Sequence, residues 1–157
     1  MNPETKRILL EADEQGHWEF PPSSAPGTAI KEIDAMLPEL ERILGIKLDV
    51  DRNVQDASFL TDVGYLDDRY YDRQKGVGAL SYLFSFRFSN FGRMFTLFGS
   101  DLDDGGGTKT NVMAAKRYIE DRGFTFVDAD ELEELYDGKN EPFDNKLTWW
   151  VRFFDYL

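Results

Sequence analysis

The sequence contains no cysteine and a single histidine. The first absence excludes disulfides, zinc sites with thiolate ligands and a cysteine nucleophile. The histidine, His17, lies between Gly16 and Trp18, and a serine-hydrolase triad would have to use it. The G-x-S-x-G motif of such enzymes is missing as well. We interpret His17 as an ordinary, partly exposed side chain and assign no catalytic residue.

Long hydrophobic runs are also absent. No stretch approaches the roughly 18 apolar residues that identify a transmembrane helix. The segment from Met1 to Glu14 has no apolar core of signal-peptide length and is interrupted by acidic residues. The lack of cysteine is compatible with a reducing compartment. We therefore expect a soluble, cytoplasmic protein without a membrane partner.

Positive charge is scarce. The chain has 18 lysines and arginines against 30 aspartates and glutamates, which gives a net charge of −12. Nucleic-acid binding depends on clustered lysine and arginine, so we expect no nucleic-acid partner. The charge is also unevenly distributed along the chain. Residues 128–144 hold eight carboxylates and one lysine, whereas residues 73–100 hold four cationic side chains and no acidic one.

Aromatic residues, in contrast, are abundant. They make up 15% of the 157 residues, which indicates a packed core rather than a disordered chain. Leu80 and the aromatic residues at positions 82, 84, 86 and 88 alternate with mostly polar residues, and residues 93–99 resume the pattern after Asn90–Gly92. This period of two, with a short glycine-containing turn, predicts two antiparallel strands that form a hairpin.

Helical spacing and turn residues predict the remaining elements. The predicted helices are residues 3–14, 28–44, 109–122 and 130–136, with a slight preference for helix at 148–157. Pro38 predicts a kink or a division of the second helix into two. In the aromatic tail, Arg152 and Asp155 are expected to face solvent. Together these patterns predict a single α+β domain, residues 1–157, with an antiparallel sheet and helices packed mainly on one face.

The acidic segment is the first candidate for function. Asp128 or Asp130 can cap a helix, which accounts for two or three of its eight carboxylates. The rest can form a surface that attracts a basic protein, as inhibitors or immunity proteins of cationic toxins do, an analogy in charge and size. The sequence therefore favours a non-enzymatic interaction or inhibitor (immunity-like) protein. The predicted partner-binding residues are Asp130, Glu131, Glu133, Glu134 and Asp137.

An aspartate-rich loop offers an alternative function. Asp101, Asp103 and Asp104 precede three glycines and resemble the start of a calcium loop. The fifth and twelfth positions of that motif, Gly105 and Val112, lack the oxygen ligands that a calcium loop requires. On this alternative the chain is a divalent-metal-dependent hydrolase or a metal-binding domain. No other cofactor is expected, and the oligomeric state is left open.

Overall fold

The computed structural model describes residues 1–18, 21–22, 28–51, 60–72, 74–79, 81–99, 107–142 and 144–155. Within these ranges the helices are α1 (Pro3–Ala12), α2 (Thr28–Leu44), α3 (Gly107–Asp121), α4 (Trp149–Phe154) and a 3₁₀ helix (Ala129–Glu133). The strands are β1 (Asp49–Asp51), β2 (Leu60–Leu66), β3 (Tyr71–Asp72), β4 (Val77–Gly78), β5 (Tyr82–Ser89), β6 (Met94–Phe98) and β7 (Thr125–Phe126). The predicted α+β class is confirmed.

Five strands form the main sheet in the order β1-β2-β5-β6-β7. All neighbours are antiparallel except β6 and β7, which are parallel. The helix α3 connects that parallel pair, because a parallel connection must cross over the sheet. The predicted aromatic hairpin is β5–β6, and Gly92 in its turn has a φ of 64°. The short strands β3 and β4, which lie along the chain between β2 and β5, form a separate two-stranded ribbon.

The alternation of β5 produces two cores on opposite faces of the sheet. Phe84, Phe86 and Phe88 pack on one face with residues of α2 and α3. Arg87, which lies between Phe86 and Phe88 along the chain, points to the other face, where its guanidinium donates a hydrogen bond to the carbonyl oxygen of Phe154 in α4. A second core lies around α1 and α4 and includes Leu9, Leu132, Trp149 and Phe153. Each buried phenylalanine contributes roughly 1.5–3 kcal/mol through removal from water.

Several predicted elements differ from the structure. The predicted helix 130–136 is wrong, because the chain forms a 3₁₀ helix that ends at Glu133, and Leu135 then pairs with Thr148. The predicted division of the second helix into two at Pro38 is also wrong, because α2 is continuous. Pro38 lies on the exposed side of α2, where water can satisfy the carbonyl group that loses its donor.

The aromatic tail confirms the helix preference but corrects one orientation. Residues Trp149–Phe154 form α4. Arg152, which was expected to face solvent, is instead fully buried and paired with Asp13. No helix in the described ranges is long and apolar enough to cross a membrane.

Candidate partner-binding surface

The acidic segment follows β7 and is fixed to the fold by its apolar residues. Asp128 caps the 3₁₀ helix, since its carboxylate accepts a hydrogen bond of 3.1 Å from the backbone nitrogen of Asp130. Leu132 is fully buried in the second core and holds the helix against it. The backbone nitrogen of Tyr136 donates to the carbonyl oxygen of Leu147 at 2.8 Å. The 3₁₀ helix and the residues that directly follow it are therefore held beside α4.

Three of the five predicted partner-binding carboxylates contact the N-terminal residues. Glu131 accepts hydrogen bonds from the backbone nitrogen and the side-chain amide of Asn2, at 3.2 and 2.6 Å. Glu134 contacts the α-amino group of Met1. Asp137 contacts the Nζ of Lys6. These carboxylates help to attach α1, so their negative charge is partly neutralised within the chain.

The hydrogen bonds and charges that attach α1 lower the pKa values of two carboxylates, Glu131 and Asp137. The Thr5 hydroxyl and the Asn2 backbone amide hold the pKa of Glu131 below its usual range. The Lys6 ammonium does the same for the pKa of Asp137. Both carboxylates therefore remain ionised at neutral pH, with their charge directed towards α1.

The other two predicted carboxylates, Asp130 and Glu133, face outwards. Both side chains are exposed. They lie three residues apart in a 3₁₀ helix, whose period of three places them on the same side. No hydrogen bond or ion pair joins either carboxylate to a residue that the structure describes. Leu135, two residues after Glu133 along the chain, is 63% exposed. We call Asp130, Glu133 and Leu135 the 130–135 surface.

The predicted metal loop cannot be placed in this geometry. Asp101, Asp103 and Asp104 lie outside the described residues, so a divalent-cation site there stays a prediction. Among the residues that are described, no group of three or more histidine, aspartate or glutamate side chains is arranged to hold a metal ion.

The cationic stretch of residues 73–100 does not form a basic surface at the positions described. Arg87 lies opposite Asp62 in the sheet, and its guanidinium donates two hydrogen bonds to that carboxylate at 2.8 and 2.7 Å. Arg93 donates to Glu32 in α2 and to the carbonyl oxygens of Arg122 and Gly123 at the end of α3. Both arginines therefore stabilise the fold. Sequence reasoning missed both pairings, since each joins distant parts of the chain.

A fully buried ion pair lies beneath the acidic segment. Asp13 and Arg152 have no exposed side-chain surface, and the other Asp13 oxygen accepts a hydrogen bond of 2.6 Å from the hydroxyl of Tyr136. The guanidinium of Arg152 also donates to the carbonyl oxygens of His17 and Trp18. Every one of these contacts is internal, so the pair supports the fold of the segment. The side chain of His17 itself is exposed.

Comparisons of the chain with protein-family models, with curated proteins and with solved structures gave no match. We therefore infer the function from the geometry of the candidate surface alone.

Proposed function

We propose that this chain is a non-enzymatic, immunity-like interaction protein that docks a basic protein partner on the 130–135 surface. The observation that carries the proposal is the arrangement of Asp130 and Glu133. Both carboxylates are exposed on one side of a short helix, and neither has a partner among the described residues. Their neighbours Glu131 and Glu134, in contrast, are used to attach α1.

The anchoring of the surface suits it to binding. Leu132 is buried between Glu131 and Glu133, and backbone hydrogen bonds hold the segment that follows. The two outward carboxylates therefore need little ordering when a partner binds, and preorganisation of this kind favours affinity. Leu135 adds exposed apolar surface that a partner can remove from water.

The overall charge supports a basic partner. With a net charge of −12 the chain attracts cationic proteins over a distance of about one Debye length, ~8 Å at physiological ionic strength. Such attraction raises the association rate and is weakened by salt. Binding is therefore expected to be salt-dependent, with the complex dissociating more readily as ionic strength rises.

The test begins with capture of a partner from extracts of the native host on the immobilised chain, at low and at high salt. The captured protein is then purified, and its affinity is measured by calorimetry. We expect a basic protein whose Kd rises with salt. The double reversal Asp130→Lys with Glu133→Lys should weaken its binding by roughly 10- to 100-fold, since two carboxylates are replaced by repelling charges.

A matched control separates the surface from the net charge. The double variant Asp121→Lys with Glu39→Lys changes the net charge from −12 to −8, as the test variant does. Asp121 is exposed, and Glu39 forms an exposed pair with Arg42 on α2. The control should bind almost as wild type. Equal affinity of the test variant and wild type, or equal losses in the two variants, would refute the proposal.

A further inference from the structure

Leu135 lies in a short extended segment that is already paired along one side. An antiparallel bridge joins Leu135 to Thr148. The backbone nitrogen of Tyr136 and the carbonyl oxygen of Glu134 form hydrogen bonds of 2.8 and 3.1 Å with the segment 147–149. The neighbours of Leu135 on both sides are therefore bonded to the residues that lead into α4.

The backbone groups of Leu135 itself point the other way. In an antiparallel pair, the N–H and C=O groups of successive residues alternate between the two edges of a strand. Because Glu134 and Tyr136 bond to residues 147–149, the N–H and C=O of Leu135 face the opposite edge. Neither group forms a hydrogen bond with a residue that the structure describes. We call these two backbone groups the Leu135 edge.

The Leu135 edge is exposed, yet the residues beside it are fixed. Leu135 is 63% exposed. Glu134 is extended, with a φ of −66° and a ψ of 147°. Tyr136 is only 6% exposed, and its hydroxyl donates to the buried carboxylate of Asp13 at 2.6 Å. A second strand can therefore pair with the edge at a small cost in ordering, and such preorganisation favours affinity.

The charge around the edge identifies the strand that fits it. Residues 130–137 contain five carboxylates and no lysine or arginine. Two of the carboxylates contact cationic groups, Glu134 the α-amino group of Met1 and Asp137 the Nζ of Lys6. The other three have no contacting cation among the described residues. A basic strand is therefore attracted to the edge, whereas an acidic one is repelled.

The exposed side chain of Leu135 adds a second requirement. Side chains of a strand alternate between its two faces, and residues opposite each other in a pair share one face. An apolar residue opposite Leu135 removes both side chains from water. Basic residues on either side of that apolar residue then lie within reach of the carboxylates of residues 130–137. Alternating basic and apolar side chains match both features of the edge.

We propose that the basic partner adds a strand to the Leu135 edge. The inference rests on the proposed function, because it specifies how the 130–135 surface binds its partner. An extended basic segment of the partner forms two backbone hydrogen bonds with Leu135, one with its N–H and one with its C=O. In binding of this kind, main-chain hydrogen bonds supply affinity and side chains at alternate positions supply specificity.

A synthetic peptide tests strand addition directly. The probe is a capped six-residue peptide in which lysine alternates with valine, and the control peptide has glutamate in place of lysine. NMR of the isotope-labelled chain follows the Leu135 amide. At saturation, the lysine peptide should slow hydrogen exchange of this amide by more than about 10-fold, because a paired N–H is protected. The glutamate peptide should leave it unchanged. An unprotected Leu135 amide in the saturated chain, or no binding of the lysine peptide at millimolar concentration, would overturn the proposal.

Two substitutions at Leu135 separate its backbone from its side chain. Leu135→Ala removes most of the apolar side chain and keeps the N–H, whereas Leu135→Pro also removes the N–H. The ψ of Glu134, 147°, suits a residue that precedes proline. We expect Leu135→Pro to weaken binding of the lysine peptide roughly 3- to 10-fold more than Leu135→Ala, because one hydrogen bond is lost. Equal affinities of two folded variants would contradict strand addition. If Leu135→Pro does not fold, exchange of the wild-type Leu135 amide decides.

The captured partner separates this inference from the proposed function. A partner that depends on Asp130 and Glu133, but leaves the Leu135 amide unprotected, would refute strand addition while the proposed function stands. A partner that is insensitive to Asp130→Lys with Glu133→Lys would refute the proposed function. Protection of the Leu135 amide by the lysine peptide in that case would still support the edge as a site for a basic strand.

Discussion

Arg152 and Asp13 form a fully buried ion pair, in which the arginine Nε donates to the aspartate Oδ1 at 2.9 Å. The two residues are 139 positions apart in the chain. Asp13 also accepts hydrogen bonds from the Tyr136 hydroxyl, the Lys139 backbone nitrogen and the Asn140 side chain. The carboxylate therefore joins the end of α1 to α4 and to the part of the acidic segment that follows the 3₁₀ helix.

The first prediction concerns this pair. Asp13→Ala leaves the Arg152 guanidinium buried without its counter-ion, and breaking a buried pair in this way costs about 3–5 kcal/mol. Urea denaturation should show a loss of that size in the free energy of unfolding. Glu14→Ala, at the neighbouring half-buried position, should change it by less than about 0.5 kcal/mol. Equal effects of the two variants would contradict a structural role for the pair.

The second prediction concerns alkaline pH. Burial, together with the hydrogen bond to Asp13, raises the pKa of Tyr136 above its ordinary value of 10.0. The folded state therefore keeps this proton at a pH where the unfolded state loses it, so stability falls as pH rises above about 10. Tyr136→Phe removes this dependence. It also costs roughly 1–3 kcal/mol at pH 7, because buried polar groups lose their partner.

The measurement for Tyr136 is the free energy of unfolding from neutral to alkaline pH. The difference between wild type and Tyr136→Phe should narrow above about pH 10. Tyr70→Phe, at an exposed position, should follow the wild-type curve. A constant difference at all pH values would show that the Tyr136 hydroxyl does not contribute to the alkaline loss of stability.

The third prediction concerns acidic pH. The Lys6 ammonium lowers the pKa of Asp137 below its ordinary value of 3.8. The stability from this pair is therefore present above the ordinary pKa and is lost as pH falls through the lower folded value. The pair is largely exposed, so Asp137→Asn should cost at most about 1 kcal/mol at neutral pH. Thermal melts should show this cost vanish in acid. Asp130→Asn should leave the free energy of unfolding unchanged at either pH, because the Asp130 carboxylate pairs with no residue that the structure describes. A destabilisation equal to that of Asp137→Asn would contradict this position of Asp130.

The fourth prediction compares two glycines. A Cβ atom at Gly64 in β2 would overlap the carbonyl oxygen of Phe84 and the Cα of Ser85. These are backbone atoms of the neighbouring strand, so Gly64→Ala should cost more than about 3 kcal/mol or prevent folding. Gly45 has a φ of 73° and open space around it, so Gly45→Ala should cost only about 1–2 kcal/mol. Thermal unfolding measures which of the two variants is less stable. If Gly45→Ala were the less stable one, the result would contradict the close approach of β2 to β5.

Local patterns predicted much of the fold. The alternation at positions 82–88 predicted β5, because one face of a strand packs in a core and residues of one face recur every second position. The helical spacing at 28–44 predicted α2 with its observed bounds. The acidic segment was interpreted as a helix to residue 136, but pairing of Leu135 with Thr148 extends the chain after Glu133. A contact with a residue so far along the chain has no local signature.

The candidate surface was likewise predicted only in part from the sequence. Composition and charge distribution identified the acidic segment, and the tertiary structure decided which of its carboxylates face outwards. Glu131 and Glu134 contact the first residues of the chain, while Asp130 and Glu133 do not. The predicted exposure of Arg152 was wrong for a related reason. A charged residue is expected at the surface unless it is paired, and its partner Asp13 is distant in sequence.

The sequence by itself therefore determined the fold class, the two aromatic strands, the C-terminal helix and the location of most of the net negative charge. Those features depend on residue type and on spacings of two to four positions. Such spacings decide which residues share one face of a strand or helix, because the backbone repeats every 2 or 3.6 residues. The tertiary structure alone decided which charges are buried in pairs, which attach α1 and which remain exposed. Pairing depends on residues that are far apart along the chain and meet only after folding, so no local pattern records it.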